Sequence, residues 1–352
     1  MIRMLRAKSH SMETTVDPIA WLLESDPSIR WQTMRDLTSA SPAAIAAERA
    51  RVAHEGLGAE ILARQAADGA WRQPDPPAQT PVWLTTLFTM LLLRSAGADP
   101  ADPVVQSAMV RLETGVRWND RDCGWELRPP ETGGNTFFQG EVEPCINGGA
   151  LALGAYFGRP NDALARRLLS EQLSDGGWNC EAPKSAVSSF HTTICVLEGL
   201  LEYERAIAPP SPTAPQLASR LVSEIAAARQ RGHEYLLQRR LFRRRSTGEV
   251  AHPAFLELAF PPRYRYDILR ALDYFRAANL PPDPRISEAV HIIESKRQPD
   301  GRWLLDRAYD EALAVSTGES VGQRSRWNTL RALRVLHWRQ PAQLESPRRG
   351  AS

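Results

Sequence analysis

The chain alternates between amphipathic segments and segments that are apolar around most of their circumference. The first kind is PNDALARRLLSEQL (160–173), where apolar positions recur at helical spacing. The second kind includes VWLTTLFTMLLLRSAG, CINGGALALGAYFG, HTTICVLEGLLEY, YDILRALDYFRAA and WNTLRALRVLHW. Strict two-residue alternation is scarce, so we expect few strands. Because a helix that is apolar all round must be covered on most sides, the pattern predicts inner apolar helices surrounded by amphipathic ones.

A loop with an Asp-Gly-Trp pattern recurs between these helices. It occurs as RQAADGAWRQP (64–74), NDRDCGWELRP (119–129), EQLSDGGWNCE (171–181) and KRQPDGRWLLD (296–306). Its tryptophans are Trp71, Trp125, Trp178 and Trp303. A further unit, YLLQRRLFRRRSTGEV (235–250), lacks the tryptophan but keeps a glycine. Such internal repetition indicates stacked helical hairpins.

The repeat predicts an all-α fold, in which about six hairpins close into an α/α toroid. The segment DPIAWLLESDPSIRWQTMRDL (17–37) supplies the first hairpin. An open solenoid has the same signature and is the alternative. We expect a single domain over residues 16–340, with disordered tails at 1–15 and 341–352. The Pro-rich stretch 206–218 reads as a linker within that domain, because the repeat resumes after it.

Composition and charge narrow the possible partners. Among 352 residues, 43% are apolar and the net charge is +2, so nothing draws the chain generally to nucleic acid or to anionic membranes. The basic stretch QRRLFRRRS (238–246) is interpreted as a solvated loop, with an anion contact as the alternative. There is no apolar run of transmembrane length and no signal-peptide pattern. Four cysteines are too few for a disulfide framework, so we expect a reduced cytoplasmic protein without an obligate partner.

The Trp loops resemble the repeats of squalene-hopene cyclases, and the hairpins resemble those of protein prenyltransferase β subunits. Both families form α/α toroids, so the resemblance implies this fold for most of the chain. Class II cyclases protonate their substrate with Asp-x-Asp-Asp, and class I terpene synthases hold magnesium with Asp-Asp-x-x-Asp. Neither motif occurs in this sequence. Ordinary triterpene cyclisation is therefore disfavoured.

One segment is similar to the zinc-binding region of the prenyltransferase β subunit. GGWNCEAPKSAVSSFHTTICVLEGL (176–200) resembles the part that supplies a zinc-binding histidine, and the Asp-x-Cys of the family corresponds to Glu143 and Cys145 here. The resemblance implies zinc bound by Glu143, Cys145 and His191, with Cys180 as a rival ligand. The upstream segment NTFFQGEVEPC lacks the basic residues of the family's diphosphate clamp, so binding of a diphosphate stays open.

The repeat itself also brings Cys145 and His191 together. They are 46 residues apart, close to one repeat, and occupy equivalent helix starts. Equivalent positions on successive inner helices are neighbours, and thiolate, imidazole and carboxylate are all zinc ligands. The alternative is structural, since a buried cysteine is often an inert apolar residue and a histidine at a helix start often bonds its neighbours.

Further candidates lie near the starts of the inner helices. Asp267 and Tyr266 are candidate catalytic residues, with Asp267 as a general base or a helix cap. Candidate substrate-binding residues are Trp83, Phe190, Tyr264, Trp327, Asn328, Arg265 and Arg326. The aromatic rings could equally fill the core, and the arginines could be solvated.

These observations favour a zinc-dependent enzyme that acts on an isoprenoid-like or other apolar small molecule in a central cavity. Zinc would activate a thiol or a water molecule there. Two alternatives stay open at this point. One is a metal-free enzyme resembling a terpene cyclase, and the other is a non-catalytic toroid that binds a lipid or a protein.

Overall fold

A computed structural model describes residues 17–74, 81–115, 117–118, 127–128, 134–207, 216–309 and 312–340. The two expected tails, the Trp125 loop with Cys123, and most of the Pro-rich linker lie outside these residues. Within them the protein is mostly helical, and its strands are two-residue segments. The predicted helical class with little sheet is therefore confirmed.

The helices and strands follow in chain order. The α-helices are α1 (Pro18–Leu23), α2 (Pro27–Leu37), α3 (Pro42–Ala50), α4 (Gly56–Ala63), α5 (Val82–Ala96), α6 (Pro103–Gly115), α7 (Pro144–Tyr156), α8 (Asp162–Ser170), α9 (Phe190–Ile207), α10 (Gln216–Leu237), α11 (Ile268–Ala277), α12 (Ser287–Ser295) and α13 (Arg326–Arg339). The strands form two antiparallel pairs, which are β1 (Arg117–Trp118) with β2 (Leu127–Arg128) and β3 (Trp303–Leu304) with β4 (Arg324–Ser325). Short 3₁₀ helices lie at Arg51–Ala53, Phe137–Gln139, Pro253–Leu256 and Pro284–Ile286.

Burial separates the helices into the two kinds that the hydrophobic pattern predicts. Helices α5 and α7 are buried over most of their residues. By contrast, α8 buries a single face that consists of Leu164, Ala165 and Leu168. Helix α12 likewise buries only one stripe. The apolar helices are therefore covered by neighbours, and the amphipathic ones keep a polar face toward solvent.

The Trp loops share one hydrogen-bonding pattern, which confirms the repeat in three dimensions. In each of three loops the buried indole N–H donates to a carbonyl ten residues earlier, at 2.7 Å. The donor and acceptor pairs are Trp71 with Ile61, Trp178 with Leu168, and Trp303 with Ile293. The backbone N–H of each tryptophan in turn donates to a threonine of the following inner helix. These threonines are Thr86, Thr193 and Thr329. Each loop thus ties the helix before it to the helix after it.

The first and last helices pack against each other. Helix α13 contacts both α1 and α2, and α11 contacts α13. Arg334 of α13 donates to Gln32 of α2 at 3.1 Å and also binds Asp273 of α11. Arg326 donates to the backbone carbonyl of Trp21. The two ends of the described chain are therefore joined by polar contacts as well as by apolar packing.

Helices α7 and α9 approach each other closely at two glycines. A Cβ atom at Gly148 would lie 2.5 Å from the carbonyl oxygen of Cys195, and one at Gly199 would lie 2.4 Å from that of Gly148. Gly149, on the same helix, is different, because a Cβ there would meet only Leu87 and Leu91 at 3.6–4.0 Å. The contact therefore requires glycine at 148 and 199 but not at 149.

Substitution at these neighbouring glycines should have opposite effects on stability. Gly148→Ala forces α7 and α9 apart and should lower the free energy of unfolding by about 2–3 kcal/mol. Gly149→Ala is the matched control and should raise it by about 0.5–1 kcal/mol, because alanine favours the helix. Urea denaturation followed by circular dichroism measures both. Equal stability of the two variants would contradict the close contact.

Candidate metal centre and its cavity

Three side chains, from the start of α7 and from the loop before α9, place metal-ligating atoms together. The donor atoms of Glu143, Cys145 and Cys180 all lie within 4.8 Å of one another. The Cys145 thiol donates to the Glu143 carboxylate at 3.5 Å. Two thiolates bound to a tetrahedral zinc ion at 2.3 Å would lie about 3.8 Å apart, so this spacing suits zinc after small side-chain rotations. Glu143 and Cys145, the two ligands predicted at the start of α7, both belong to this group.

The loop before α7 holds Glu143 in place. Asn147 accepts a hydrogen bond from the Glu141 backbone at 2.7 Å and donates to its carbonyl at 2.9 Å. The buried Glu141 carboxylate accepts from the backbone N–H groups of Val142 and Glu143. Burial raises the pKa of Glu141 to about 7, and these two hydrogen bonds oppose that rise. Glu143 is the N-cap residue of α7, but its side chain makes no capping bond and is directed to other partners.

Threonines at the start of α9 hold the other loop. Thr193 binds the backbone of Trp178, and the Thr192 hydroxyl lies 3.4 Å from both the backbone nitrogen and the Sγ atom of Cys180. The close packing of α7 on α9 then brings Cys180 to Cys145. The polar residues at the start of this apolar helix therefore serve to position the cysteine loop.

His191 faces the same cavity but is not a member of the donor group. Its Nδ1 atom accepts a hydrogen bond from the backbone N–H of Tyr266 at 2.8 Å. In a neutral ring this bond leaves the proton on Nε2, so Nε2 offers no lone pair to a metal while the bond stands. Burial lowers the pKa of His191 to about 4, assisted by the charges of Arg270 and Arg265. Cys180, the rival ligand in the sequence, takes the third place in the group.

The two cysteines of the group shift each other's pKa in opposite directions. Hydrogen bonding with Cys145 lowers the pKa of Cys180. The same bond, together with burial, raises the pKa of Cys145 far above its usual range. Burial also raises the pKa of Glu143. The Cys180 thiol therefore ionises more readily than the Cys145 thiol. A divalent cation would be needed to hold Glu143, Cys145 and Cys180 all as anions.

The donor group lies on the wall of a cavity of about 460 Å³, which we call the cysteine cavity. Its wall is mainly apolar and is built from α5, α7 and α9. Residues such as Leu84, Leu87, Phe88 and Ala152 form this apolar part. An apolar pocket of this size with a few convergent polar groups is typical of a small-molecule site.

The predicted substrate-binding aromatic residues divide into two sets. Trp83 and Tyr264 lie on the wall of the cysteine cavity, and Tyr264 is 37% exposed. Phe190 instead packs against Tyr266 at 5.1 Å between ring centroids, within a cluster that includes Phe255. The Tyr266 hydroxyl donates to the carbonyl of Leu241 at 2.5 Å. Neither Phe190 nor Tyr266 belongs to the cavity wall.

Asp267 and Asn328 both make structural contacts. The Asp267 side chain accepts from the backbone N–H of Arg270 at 2.8 Å and caps α11. Burial raises its pKa. Asn328 donates to the carbonyls of Leu258 and Leu304 at 3.0 and 3.1 Å. Neither residue lines the cysteine cavity.

The remaining candidates lie away from the donor group. The Trp327 ring stacks on Phe260 at 4.3 Å. Arg326 lies over the Trp21 ring, and Arg265 lies between Tyr264 and Tyr309. None of these three predicted residues lines the cysteine cavity.

Sequence reasoning missed the residues that hold the site in position. These are Glu141, Asn147, Thr192, Gly148 and Gly199. The sequence does contain one signal for the threonine contacts. A threonine follows the loop tryptophan by 15 residues in both Trp71–Thr86 and Trp178–Thr193. The glycine contact has no such signal.

Comparison with known proteins adds no identification. No protein-family model and no curated protein sequence matches this chain. Among the described helices, none combines the length and hydrophobicity that a transmembrane span requires. The geometry of the site is therefore the basis for inferring the function.

The depressed pKa of His191 predicts a specific acid sensitivity. The native pKa is about 4 and the unfolded one about 6.5, so the unfolded state binds more protons between these values and stability falls as the pH is lowered through them. Relative to a His191→Gln variant, the wild type should lose about 2 kcal/mol of unfolding free energy between pH 7.5 and pH 5. Urea titrations at both pH values measure this difference. Identical losses in the two proteins would refute a buried neutral histidine.

Proposed function

We propose that this protein is a metal-dependent enzyme, with zinc as the expected ion, that acts on an apolar small molecule in the cysteine cavity. One observation carries the proposal, namely that Glu143, Cys145 and Cys180 bring a carboxylate and two thiols within 4.8 Å on the wall of an apolar cavity. Thiolate and carboxylate together suit zinc, and three protein ligands leave a fourth position for water or substrate.

The proposed architecture is a closed α/α toroid around this cavity. It is supported by the contacts of α13 with α1 and α2, by the repeated tryptophan hydrogen bonds, and by the division into covered and amphipathic helices. In such a ring the starts of α5, α7 and α9 lie at one end of the central space. This is where Trp83, Cys145 and His191 line the cavity.

The chemistry follows from the donor set and its surroundings. Bound zinc would supply Lewis acidity and activate a water molecule or a substrate thiol. The protein's own residues would orient the ligand against the α5 wall and keep bulk water away from the sulfur atoms. His191, with its proton on Nε2, is placed to donate a hydrogen bond into the cavity. A metal-free cyclase would need an exposed acid, and Asp267 instead caps α11.

Metal content should separate this proposal from the alternatives. Protein purified without added zinc should contain about one zinc per chain by elemental mass spectrometry, and Cys145→Ser or Cys180→Ser should remove most of it. Cys195→Ala is the matched control, because Cys195 lines the same cavity but is outside the donor group. It should keep its metal.

A His191→Ala variant distinguishes the two possible ligand sets. It should retain zinc if Cys180 is the third ligand, and lose it if the ligands are the three that the sequence resemblance implied. Wild-type protein that contains no metal and binds none on titration would reject the proposed function altogether.

The apolar part of the site has its own test. A neutral C15 alcohol such as farnesol should bind, and Leu84→Asp should weaken its affinity by about tenfold or more, because a carboxylate would then lie in the apolar wall. Val104→Asp is the control, since Val104 is exposed on α6 and does not line the cavity. Displacement of a neutral fluorescent dye measures both affinities. Equal binding by both variants would place the ligand elsewhere.

A further inference from the structure

A second cavity, of about 400 Å³, lies where several inner helices end. We call it the arginine cavity. The C-terminal ends of α5 and α9 contribute Gly97 and Arg205, and α11 contributes Ala277. Among the described residues, nine arginines but only three carboxylates line it. A cavity of this size falls within the range of small-molecule sites.

The three carboxylates are already engaged. Glu202 pairs with Arg94 at 2.5 Å, and Glu198 pairs with Arg270 at 2.7 Å. Asp273 is shared, because Arg276 and Arg334 both bind it. Asp36, which is not part of the wall, also pairs with Arg35 at 2.7 Å and lies 3.6 Å from Arg334. Among the described residues, nine arginines of the wall are thus set against four carboxylates, which leaves an excess of positive charge.

Among the described residues, two of the arginines donate hydrogen bonds to neutral oxygen atoms and to no carboxylate, and one of them, Arg49, also lies over the Trp31 ring. Arg49 donates to the carbonyl of Gly97 at 3.0 Å and to the Tyr156 hydroxyl at 2.9 Å. Arg205 donates to the carbonyl of Ala277. In the part of the chain that the structure describes, neither one forms an ion pair. Both therefore bring positive charge to the cavity without an ion pair of their own among the described residues.

A structural role for these arginines explains only part of the arrangement. Cations are stabilising at helix C-termini, and the carbonyl contacts of Arg49 and Arg205 fit that role. Helix ends do not require such an excess of guanidinium groups around one space, however. The buried Arg331, 3.9 Å from Asp273, adds to the excess. Burial lowers the pKa of Arg331, and the nearby carboxylates of Asp267 and Asp273 oppose that shift.

We propose that the arginine cavity binds an anion that carries at least two negative charges, of the phosphate or diphosphate class. Guanidinium groups bind phosphate oxygens in bidentate fashion, and several of them around one cavity neutralise more than one charge. The exposed side chains of Arg35 and Arg205 give access from solvent. This site requires neither the metal nor the donor group of the cysteine cavity.

The two cavities adjoin, which suggests what the anion is attached to. Phe88, Leu91, Glu198, Arg263 and Arg270 line both of them. A phosphate ester with an apolar tail would leave its head among the arginines and extend past Phe88 and Leu91 toward the cysteines. A free phosphate or diphosphate would occupy the arginine cavity alone. Both sources offer the same anionic chemistry to the arginines.

Isothermal titration of the full-length chain at fixed ionic strength tests the site with inorganic pyrophosphate, inorganic phosphate and dodecyl phosphate. Pyrophosphate should bind, and Arg49→Gln and Arg205→Gln should each weaken it by about tenfold. Arg205→Lys should retain most of the affinity, because it keeps the charge. Arg220→Gln is the matched control. It removes the same charge, and Arg220 is 81% exposed on α10 and does not line the cavity.

The outcomes are separable from those of the metal experiment. Binding of the anion by a Cys145→Ser, Cys180→Ser double variant should be unchanged, even where zinc is lost. Tighter binding of dodecyl phosphate than of inorganic phosphate identifies a ligand that spans both cavities, and equal affinity identifies a free anion; either result supports the site. Failure of all three anions to bind would overturn the proposal, as would binding that both glutamine variants leave intact.

Discussion

The close approach of α7 and α9 is the constraint on which the candidate site depends. At Gly148 and Gly199 the two backbones are separated by less than a side chain would need, so these helices pack without intervening Cβ atoms. The contact brings the start of α7, with Glu143 at its N-cap and Cys145 in its first turn, against the loop before α9, with Cys180. A wider spacing, as larger residues would impose, would separate the two sulfur atoms and leave two unrelated buried thiols.

The tryptophan loops provide the second constraint, because they fix where the helix that follows each loop begins. Each indole is anchored to the helix before the loop, and each loop backbone is anchored to a threonine of the helix after it. The same contacts position the loop that carries Cys180. This loop follows Trp178 directly, and Thr192, which contacts Cys180, adjoins Thr193. The same arrangement divides the interior by chemistry. The cysteine cavity lies beside the starts of α5, α7 and α9, and the arginine cavity lies beside the ends of α5, α9 and α11, next to carbonyl groups that favour cations.

Much of the fold could be predicted from the sequence, because its signals are local and repeated. The helical class, the covered and amphipathic helices, and the loop of Trp71, Trp178 and Trp303 all follow from spacing and hydrophobic pattern. The site was predictable in part. Glu143, Cys145 and the alternative ligand Cys180 were recognised by residue type and position. The role of His191 was not, because its Nδ1 atom is bound by the backbone of Tyr266, 75 residues away in sequence. The helix-cap alternative for Asp267 was predictable, because its partner is the backbone of Arg270 only three residues on, whereas the partners of Asn328 lie 70 and 24 residues away in sequence.

The sequence by itself determined that this chain forms helical hairpins, and which residue types were available for metal or anion chemistry. Periodicity and turn residues encode such features within a few dozen positions. Only the tertiary structure decided which of those residues meet. Whether Cys145 faces Cys180 or His191 depends on a glycine contact between two helices, and the arginine cavity gathers side chains from seven helices spread between residues 31 and 334. Distances of this kind arise from packing of the whole chain, and no local pattern carries them.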